Sequence, residues 1–419
     1  MQQMPERIVI VGAGQAGFQL AASLREEGFA GSVTLIGDEP DLPYQRPPLS
    51  KAYLKGEVDE SKLHFRTEAF FALHRLALRR GERVESLDRP RQRVSLASGE
   101  TLAYDHLVLA TGARNRTLDI PGAGLDGVVQ LRSRADADAL RQRLGAARKL
   151  AIVGAGFIGL ECAAVARAKG VAVTVVESAW RPMPRALSVE TSQAFHRLHA
   201  QQGAELIYGD TVSAFLGEAG RVTRVATAGG QSFAADLALV GIGVLPNVEL
   251  AADAGLVTAN GIVVDEALLT EDPAISAIGD CANYRSSFAD GAFVRLESVQ
   301  NAVDQARCVA SRLVGRPKPY ASVPWFWSDQ GKTRLQIAGL CIPHEQTVLR
   351  RGAREGAFSV FCFRRGRLIG VESVNSPADH MAARRLLGGG PEISPEQVAS
   401  PSFDLRAAVG AAVARSPAQ

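Results

Sequence analysis

The sequence predicts an α/β fold made of two Rossmann-like nucleotide-binding units and a C-terminal α+β domain. Three observations predict it. A glycine string occurs twice, as Gly12-Ala13-Gly14-Gln15-Ala16-Gly17 and as Gly154-Ala155-Gly156-Phe157-Ile158-Gly159. Each string stands behind an apolar run, Ile8 to Val11 or Leu150 to Val153, and opens a helix-like stretch. The surroundings repeat as well, Arg7 to Glu39 running parallel to Lys149 to Ser178. In such a string the first glycine allows the tight strand-to-helix turn and the second lets the backbone approach a pyrophosphate at the helix N-terminus. The third lets helix and strand pack closely. One copy would be weak, because glycine-rich turns are common; two copies, each followed by a second strand ending near an acid, imply two dinucleotides.

The elements follow in order. After each unit comes a stretch of short alternating strands with turn signals, Arg93 to Glu100 and Arg221 to Ala226 before Gly229-Gly230, which reads as a β-meander used as a crossover. Each half closes on an apolar strand ending in glycine, Leu107 to Gly112 and Leu237 to Gly243, so that small residues such as Gly243 stand where backbone lies near a bound cofactor. The second unit is inserted within the first. After Pro246-Asn247 the chain continues with Gly261 to Asp265 and then Ile275 to Asp280, a strand that ends in an acid and leads to a helix around Asn301 to Val314. The expected division is residues 1–114 with 246–320, residues 115–245, an α+β domain at 321–405 and a tail at 406–419. Strand-like runs at Gln346 to Leu349, Phe358 to Phe363 and Leu368 to Ser373 mark the α+β domain, and the Ala-rich end from Ser394 predicts one helix with a frayed tip.

A chain of 419 residues is too long for one core, and a formal net charge of +3 is too small to argue for nucleic acid. No apolar run is long enough to span a membrane. Met1 to Arg7 leave no room for a secretory signal before the first strand, so a cytoplasmic location is expected. Cys162, Cys281, Cys308, Cys341 and Cys362 form no C-x-x-C or C-x-x-x-x-C pair, which excludes a zinc ribbon and a local redox dithiol. Reductases that pass electrons to disulfides need a close cysteine pair beside the flavin, and the segment Asp41 to Tyr53 has none. The cysteines are expected to be small buried hydrophobes. His196 and His199 have no third ligand nearby and read as surface histidines; no metal is expected.

The acid after the second strand bears on the nicotinamide cofactor. Val173 to Val176 lead to Glu177, about twenty residues past the glycines, where a carboxylate accepts from ribose hydroxyls and repels a 2′-phosphate. NADH is favoured over NADPH, with Arg181 and Arg185 in partial compensation. In the first unit the corresponding position is Gly37, and the ribose contact falls to Asp38.

Six longer motifs extend the pattern: Pro43 to Lys51 (PYQRPPLSK), Ala110-Thr111-Gly112, Gly156 to Glu161, Gly279-Asp280-Cys281-Ala282, Arg295 to Ala302 (RLESVQNA) and Pro324 to Gln330 (PWFWSDQ). With them the sequence resembles, along nearly its whole length, the FAD- and NADH-dependent ferredoxin reductases of bacterial cytochrome P450 and aromatic-ring dioxygenase systems. The resemblance implies a glutathione-reductase-like two-dinucleotide fold and one non-covalent FAD. FAD would meet Gly12, Gly14, Ala16 and Gly17 at its pyrophosphate, Asp38 at its ribose and Val84 near the adenine. Arg46, Lys51 and Arg132 would lie around phosphates and flavin, Asp280 on the ribityl chain and Val299 by the ring. NADH would take Gly154, Gly156, Ile158, Gly159, Glu177 and Gly243. Asp280 has a competing reading as a helix cap.

Lys51 and Glu161 are implied as a charged pair beside the flavin, the lysine stabilising negative charge and the glutamate compensating the lysine; a purely structural ion pair is the alternative. Trp327 is implied to line the nicotinamide site or the electron exit, against a core reading of Trp325-Phe326-Trp327. Hydride transfer delivers two electrons to flavin, and without a thiol pair they must leave singly. No Fe–S cysteine pattern exists in the chain, so a [2Fe-2S] ferredoxin is the expected partner. Between Ser311 and Leu368 the cations Arg312, Arg316, Lys318, Lys332, Arg334, Arg350, Arg351, Arg354, Arg364, Arg365 and Arg367 outnumber Asp329, Glu345 and Glu355. That asymmetry predicts a basic docking surface, with Arg312, Arg316, Lys318, Arg364 and Arg365 foremost, on a monomer or weak dimer. The alternatives are a rubredoxin reductase, a small-molecule NADH reductase such as a monodehydroascorbate reductase or NADH oxidase, and an NADH-responsive interaction module like apoptosis-inducing factor.

Overall fold

The structure is a computed structural model that describes residues 4–390 and 393–415. It divides into two compact units, Met1–Gln45 with Glu60–Arg114 and Leu245–Pro324, and Arg46–Asp59 with Asn115–Val244 and Trp325–Gln419.

The first unit is built on a five-stranded parallel sheet in the order Ile275–Ala277, His106–Leu109, Arg7–Val11, Ser32–Gly37, Leu76–Arg80. Its central strands are buried on both faces, which is why Ile8 to Val11 and Leu107 to Leu109 read as continuous apolar runs rather than alternating ones. Each fully buried Ile or Leu there contributes about 1.5–3 kcal/mol of transfer free energy. The helices Gln15–Glu26 and Val299–Leu313 present small faces, Ala16, Gly17 and Ala21 on one and Ala302, Ala306 and Ala310 on the other, and pack together within this core. Val84–Asp88, Arg93–Leu96 and Thr101–Ala103 form the antiparallel meander expected from their alternation.

The second unit repeats the plan. Its parallel sheet runs Glu205–Tyr208, Ala172–Glu177, Lys149–Val153, Leu237–Val240, Val128–Val129, and Val212–Glu218, Arg221–Thr227 and Ser232–Ala234 form its meander. Four strands of each parallel sheet correspond one to one. The fifth does not: it comes from Val128–Val129, ahead of the glycine strand, in the second unit, and from Ile275–Ala277, after the whole insertion, in the first. A five-stranded antiparallel sheet follows in the order Trp325–Gln330, Thr333–Gly339, Arg367–Val374, Phe358–Arg364, Gln346–Arg351. The end of the chain differs from expectation. Two helices occur after Ser394, Pro395–Ala399 and Leu405–Arg415, so most of the expected tail is helical; residues 416–419 lie outside the described residues. Among the described residues no helix is long and apolar enough to cross a membrane.

Candidate functional site

The two glycine strings build two cradles of the same design. The Gly12 N–H donates to Ile36 O at 2.8 Å and the Gly154 N–H to Val176 O at 2.8 Å, so each loop is pinned to the second strand of its sheet. Gly12 and Gly154 have φ of +111° and +103°, and a Cβ would lie 2.1 Å from Ala110 O or 2.5 Å from Gly241 O. Both faults exclude any other residue. A Cβ on Gly17 or Gly159 would meet the carbonyl of Gly12 at 1.9 Å or of Gly154 at 2.3 Å, which is the close helix-to-loop packing expected of the third glycine.

The middle glycines differ in kind. A Cβ on Gly14 would meet nothing within 4 Å, and one on Gly156 only Gly241 O at 4.0 Å. Both residues are helix N-caps with extended backbones and no side-chain cap, and neither helix has an acid in its first turn. By contrast Ser133, Ser188 and Ser298 cap their helices. Each glycine-string helix therefore opens with N–H donors that its own side chains do not satisfy, facing room for an anion. The residues present fit a pyrophosphate at both places.

Around the first cradle the other expected residues take definite places in their unit. Asp38 is exposed just past the second strand, while Glu39 accepts from Tyr44 Oη at 2.5 Å. Val84 begins the meander opposite Leu96. Asp280 lies in the single turn Gly279–Cys281 after Ile275–Ala277, and Gln305 Oε1 receives the Gly279 N–H at 2.7 Å. Asp280 does not cap the next helix: Val299–Leu313 is capped by Ser298, whose Oγ accepts from the Asn301 N–H at 3.1 Å.

In the second unit Glu177 ends its strand and binds its own backbone, Oε2 accepting from the Ala155 N–H at 2.7 Å and Oε1 from the Ala179 N–H at 2.9 Å. The carboxylate is thereby fixed against the glycine loop. Ile158, in the first turn of Phe157–Ala168, is exposed, and Gly243 has a φ of +99° beyond Leu237–Val240. Arg46 Nη1 donates to Arg132 O at 2.7 Å.

The same unit joins Lys51 to Glu161 at 2.6 Å, with side chains 18 % and 2 % exposed. Lys51 follows the 3-10 turn Pro47–Ser50, in which two prolines preset φ; Glu161 lies on the buried face of Phe157–Ala168. Three donors reach the Glu161 carboxylate: Lys51 and Ser50 Oγ on Oε2, at 2.6 and 2.5 Å, and Ser328 Oγ on Oε1 at 2.6 Å. Strand alternation accounts for the last contact. Phe326, Ser328 and Gln330 share the strand face that packs on Phe157 and Glu161, with Phe157 and Phe326 ring centres 4.6 Å apart. Trp325 and Trp327 lie on the other face, 5.6 Å apart, with His380 and Arg384 against Trp325.

Three expectations are corrected. His199 is not a surface histidine: it is fully buried, with Nε2 2.7 Å from Gln330 Oε1, and burial lowers its pKa. Only His196 is exposed. Its spacing gave the signal, since Ser192, Phe195 and His199 fall on one buried helix stripe. Arg312 is not a docking cation. It turns inward, donating to Ser276 Oγ at 2.6 Å, and burial lowers its pKa. Arg350 is likewise engaged, donating to the carbonyls of Val398, Ser400 and Phe403. Arg316 is exposed and pairs with Glu27, Lys318 and Arg365 are exposed, and Arg364 is half-buried. The cysteines are buried apart from Cys308, which is half-exposed, and spacing did not reveal that Cys341 and Cys362 meet beside Glu372, with their ligand atoms within 4.8 Å of one another. Glu372 there accepts from the N–H and Oγ of Ser188 at 2.7 and 2.6 Å.

Comparison with known proteins agrees with this geometry. The pyridine nucleotide-disulphide oxidoreductase family matches residues 6–306, and the reductase C-terminal family matches residues 325–409. Rhodocoxin reductase of Rhodococcus erythropolis is 52 % identical over 402 residues, covering 96 % of this chain and 94 % of that protein. The ferredoxin reductase for the CYP199A2 system from Rhodopseudomonas palustris has a solved structure that is 51 % identical, with a TM-score of 0.94 over 96 % of this chain and all of that one. The reductase of the covalent putidaredoxin reductase–putidaredoxin complex is 36 % identical, with a TM-score of 0.94 over 98 % of this chain and 99 % of its own. Two matching nucleotide cradles, a buried lysine–glutamate pair and likeness along nearly the whole length lead to one conclusion: the chain belongs to the pyridine nucleotide-disulphide oxidoreductase family, as a ferredoxin-reductase-type enzyme that uses FAD and NAD(H).

Proposed function

We propose that this chain carries electrons from NADH through FAD to a [2Fe-2S] ferredoxin that supplies a cytochrome P450 or a ring-hydroxylating oxygenase. The observation that carries this reading is a pair of equivalent nucleotide cradles in a chain whose PPLSK segment supplies the lysine of a buried lysine–glutamate pair, and whose Asp41 to Tyr53 segment has none of the cysteines a disulfide reductase needs. Relatives named rhodocoxin reductase and putidaredoxin reductase support it. When bound, FAD would supply hydride acceptance and single-electron release; the chain's own groups would bind it, orient it and balance charge.

The division of labour follows the cradles. Residues 1–114 and 246–320 bind FAD, residues 115–245 bind NADH and residues 321–405 complete the reductase. Gly12, Gly14, Ala16 and Gly17 take the FAD pyrophosphate, with Asp38, Val84, Arg46, Arg132, Asp280 and Val299 as further contacts. Gly154, Gly156, Ile158, Gly159, Glu177 and Gly243 take NADH. Lys51 opposes negative charge at the flavin while Glu161 holds the ammonium in place, and Trp327 lines the nicotinamide or the electron exit. Ferredoxin docks by charge on exposed cations that include Arg316 and Lys318 of one unit and Arg365, with its sequence neighbour Arg364, of the other, on a monomeric or weakly dimeric cytoplasmic enzyme. Turnover with NADH and a panel of acceptors, run anaerobically except where oxygen is itself the acceptor, tests the reading. A [2Fe-2S] ferredoxin should be reduced far faster than rubredoxin, oxygen or ascorbate radical; rubredoxin as the best acceptor would assign the alternative electron carrier.

A further inference from the structure

Glu161 is the end point of a hydrogen-bonded chain longer than the lysine–glutamate pair. Ser328 Oγ lies 2.6 Å from Glu161 Oε1, Gln330 Nε2 lies 3.3 Å from Ser328 Oγ, and His199 Nε2 lies 2.7 Å from Gln330 Oε1. Ser328, Gln330 and His199 are fully buried. They come from two elements, the edge strand Trp325–Gln330 and the helix Val189–Gln201, and the carboxylate comes from a third, Phe157–Ala168.

The direction of this chain is fixed by counting hydrogens. A carboxylate paired with an ammonium has no hydrogen to give, so Ser328 donates its only one to Glu161. Ser328 can then only accept from Gln330, whose amide nitrogen donates. That orientation turns Gln330 Oε1 toward His199, which must donate from Nε2. Burial favours the neutral ring, so Nδ1 is bare, and that atom has no hydrogen-bond partner among the described residues. Every dipole therefore points the same way, toward Glu161.

We infer that Ser328, Gln330 and His199 are positioning residues that orient the Glu161 carboxylate and, through it, the Lys51 ammonium, and so help to set the redox potential of the flavin. This rests on the reading that Lys51 stands at the flavin. A carboxylate held at Oε1 by Ser328 presents Oε2 to Lys51 and Ser50 in one orientation. Removal of the Oε1 donor lets the carboxylate pivot about its remaining bonds to Ser50 and Lys51, and the ammonium, which also donates to Pro47 O at 3.1 Å, shifts with it.

The test measures the two-electron midpoint potential of bound FAD, together with NADH affinity and the rate of flavin reduction on rapid mixing. Ser328→Ala, Gln330→Leu and His199→Phe should each lower the potential, the first by an amount equal to about a tenfold change in equilibrium constant, roughly 30 mV for two electrons. Flavin reduction should slow by a similar factor while NADH affinity stays within twofold. Ser328→Thr and His199→Gln keep the donor and should behave as the wild type. If they shifted the potential as far as the donor-less variants, packing would be the cause and the inference would fall. Lys51→Met separates the two levels: a potential that moves in this variant but in none of the three donor-less ones refutes the relay, and one that does not move even here refutes the placement of Lys51 at the flavin. In the FAD-loaded protein, 15N spectra of labelled histidine should show His199 protonated at Nε2; an Nδ1-protonated ring would break the donor order and overturn the inference independently of the measured potential.

Discussion

Replacing Gly156 by alanine should abolish most NADH binding while leaving the fold intact. Gly156 has φ −78° and ψ −179°, extended backbone open to any residue, and the added Cβ would meet only Gly241 O at 4.0 Å. Folding stability should change by less than about 1 kcal/mol, since alanine restricts the unfolded chain but is the poorer N-cap. The same Cβ fills the room in front of the uncapped helix. Displacing a pyrophosphate from one N–H donor there costs about 1.5–3 kcal/mol, at the usual value for a bond to a charged group, which is roughly 10- to 150-fold in affinity. FAD content should not change, because the cradle proposed for FAD belongs to the other unit. Gly159→Ala is the contrasting variant: its Cβ would stand 2.3 Å from Gly154 O, so backbone must move and the melting temperature should fall. The assays are calorimetric NADH binding, flavin absorbance per chain and thermal melts. Gly156→Ala binding NADH within twofold of the wild type would refute the assignment of this cradle to the nicotinamide cofactor.

Other outcomes follow from the same geometry. Glu177→Ala should raise the NADH KM tenfold or more and narrow the gap to NADPH; because the carboxylate also binds the N–H groups of Ala155 and Ala179, some of the loss will come from a loosened loop, and Glu177→Gln should be milder. Raising salt through the physiological range should cut ferredoxin reduction steeply and ferricyanide reduction little, since exposed charges are screened over about 8–10 Å. Reversing Arg364 and Arg365 should raise the ferredoxin KM with FAD content intact, whereas Arg312→Glu should destabilise the first unit, because that side chain binds Ser276 inside it. His106, pushed down to about 3 by burial and then by the charge of Arg312, takes up its proton later in the folded state than in the unfolded chain. Stability is therefore present in full above the ordinary histidine value of about 6.5 and is lost as pH falls from there toward 3, by up to about 1.4 kcal/mol per pH unit. Urea melts at pH 7 and pH 5 should show this slope, and His106→Asn should flatten it.

Much of the fold was legible because parallel strands buried on both faces must be apolar throughout, and because the glycine positions answer to steric demands that no other residue meets. The pairing of Lys51 with Glu161 came from the family resemblance that the long motifs carry rather than from periodicity. What stayed hidden depended on contacts distant in sequence. Cys341 and Cys362 meet only when the last antiparallel sheet folds, and His199 reaches Gln330 only when a helix and an edge strand come together. Arg312 shows how charge counts mislead: Gln305, Val309 and Arg312 follow at four and three residues on one helix, which turns the guanidinium inward despite its charge. Glu177 was found by its place after the strand, but its bonds to the loop it follows were not visible in the spacing.

The central claim is two electrons in as a hydride and single electrons out to an iron–sulfur partner. It is tested most directly by anaerobic rapid mixing of the FAD-loaded enzyme, one equivalent of NADH and excess oxidised [2Fe-2S] ferredoxin. The account predicts two ferredoxins reduced per NADH, at a rate that falls with salt, and the same stoichiometry in a folded variant with all five cysteines replaced. Flavin reduced by NADH that then fails to reduce ferredoxin, or ferredoxin reduction lost with the cysteines while FAD stays bound, would contradict it.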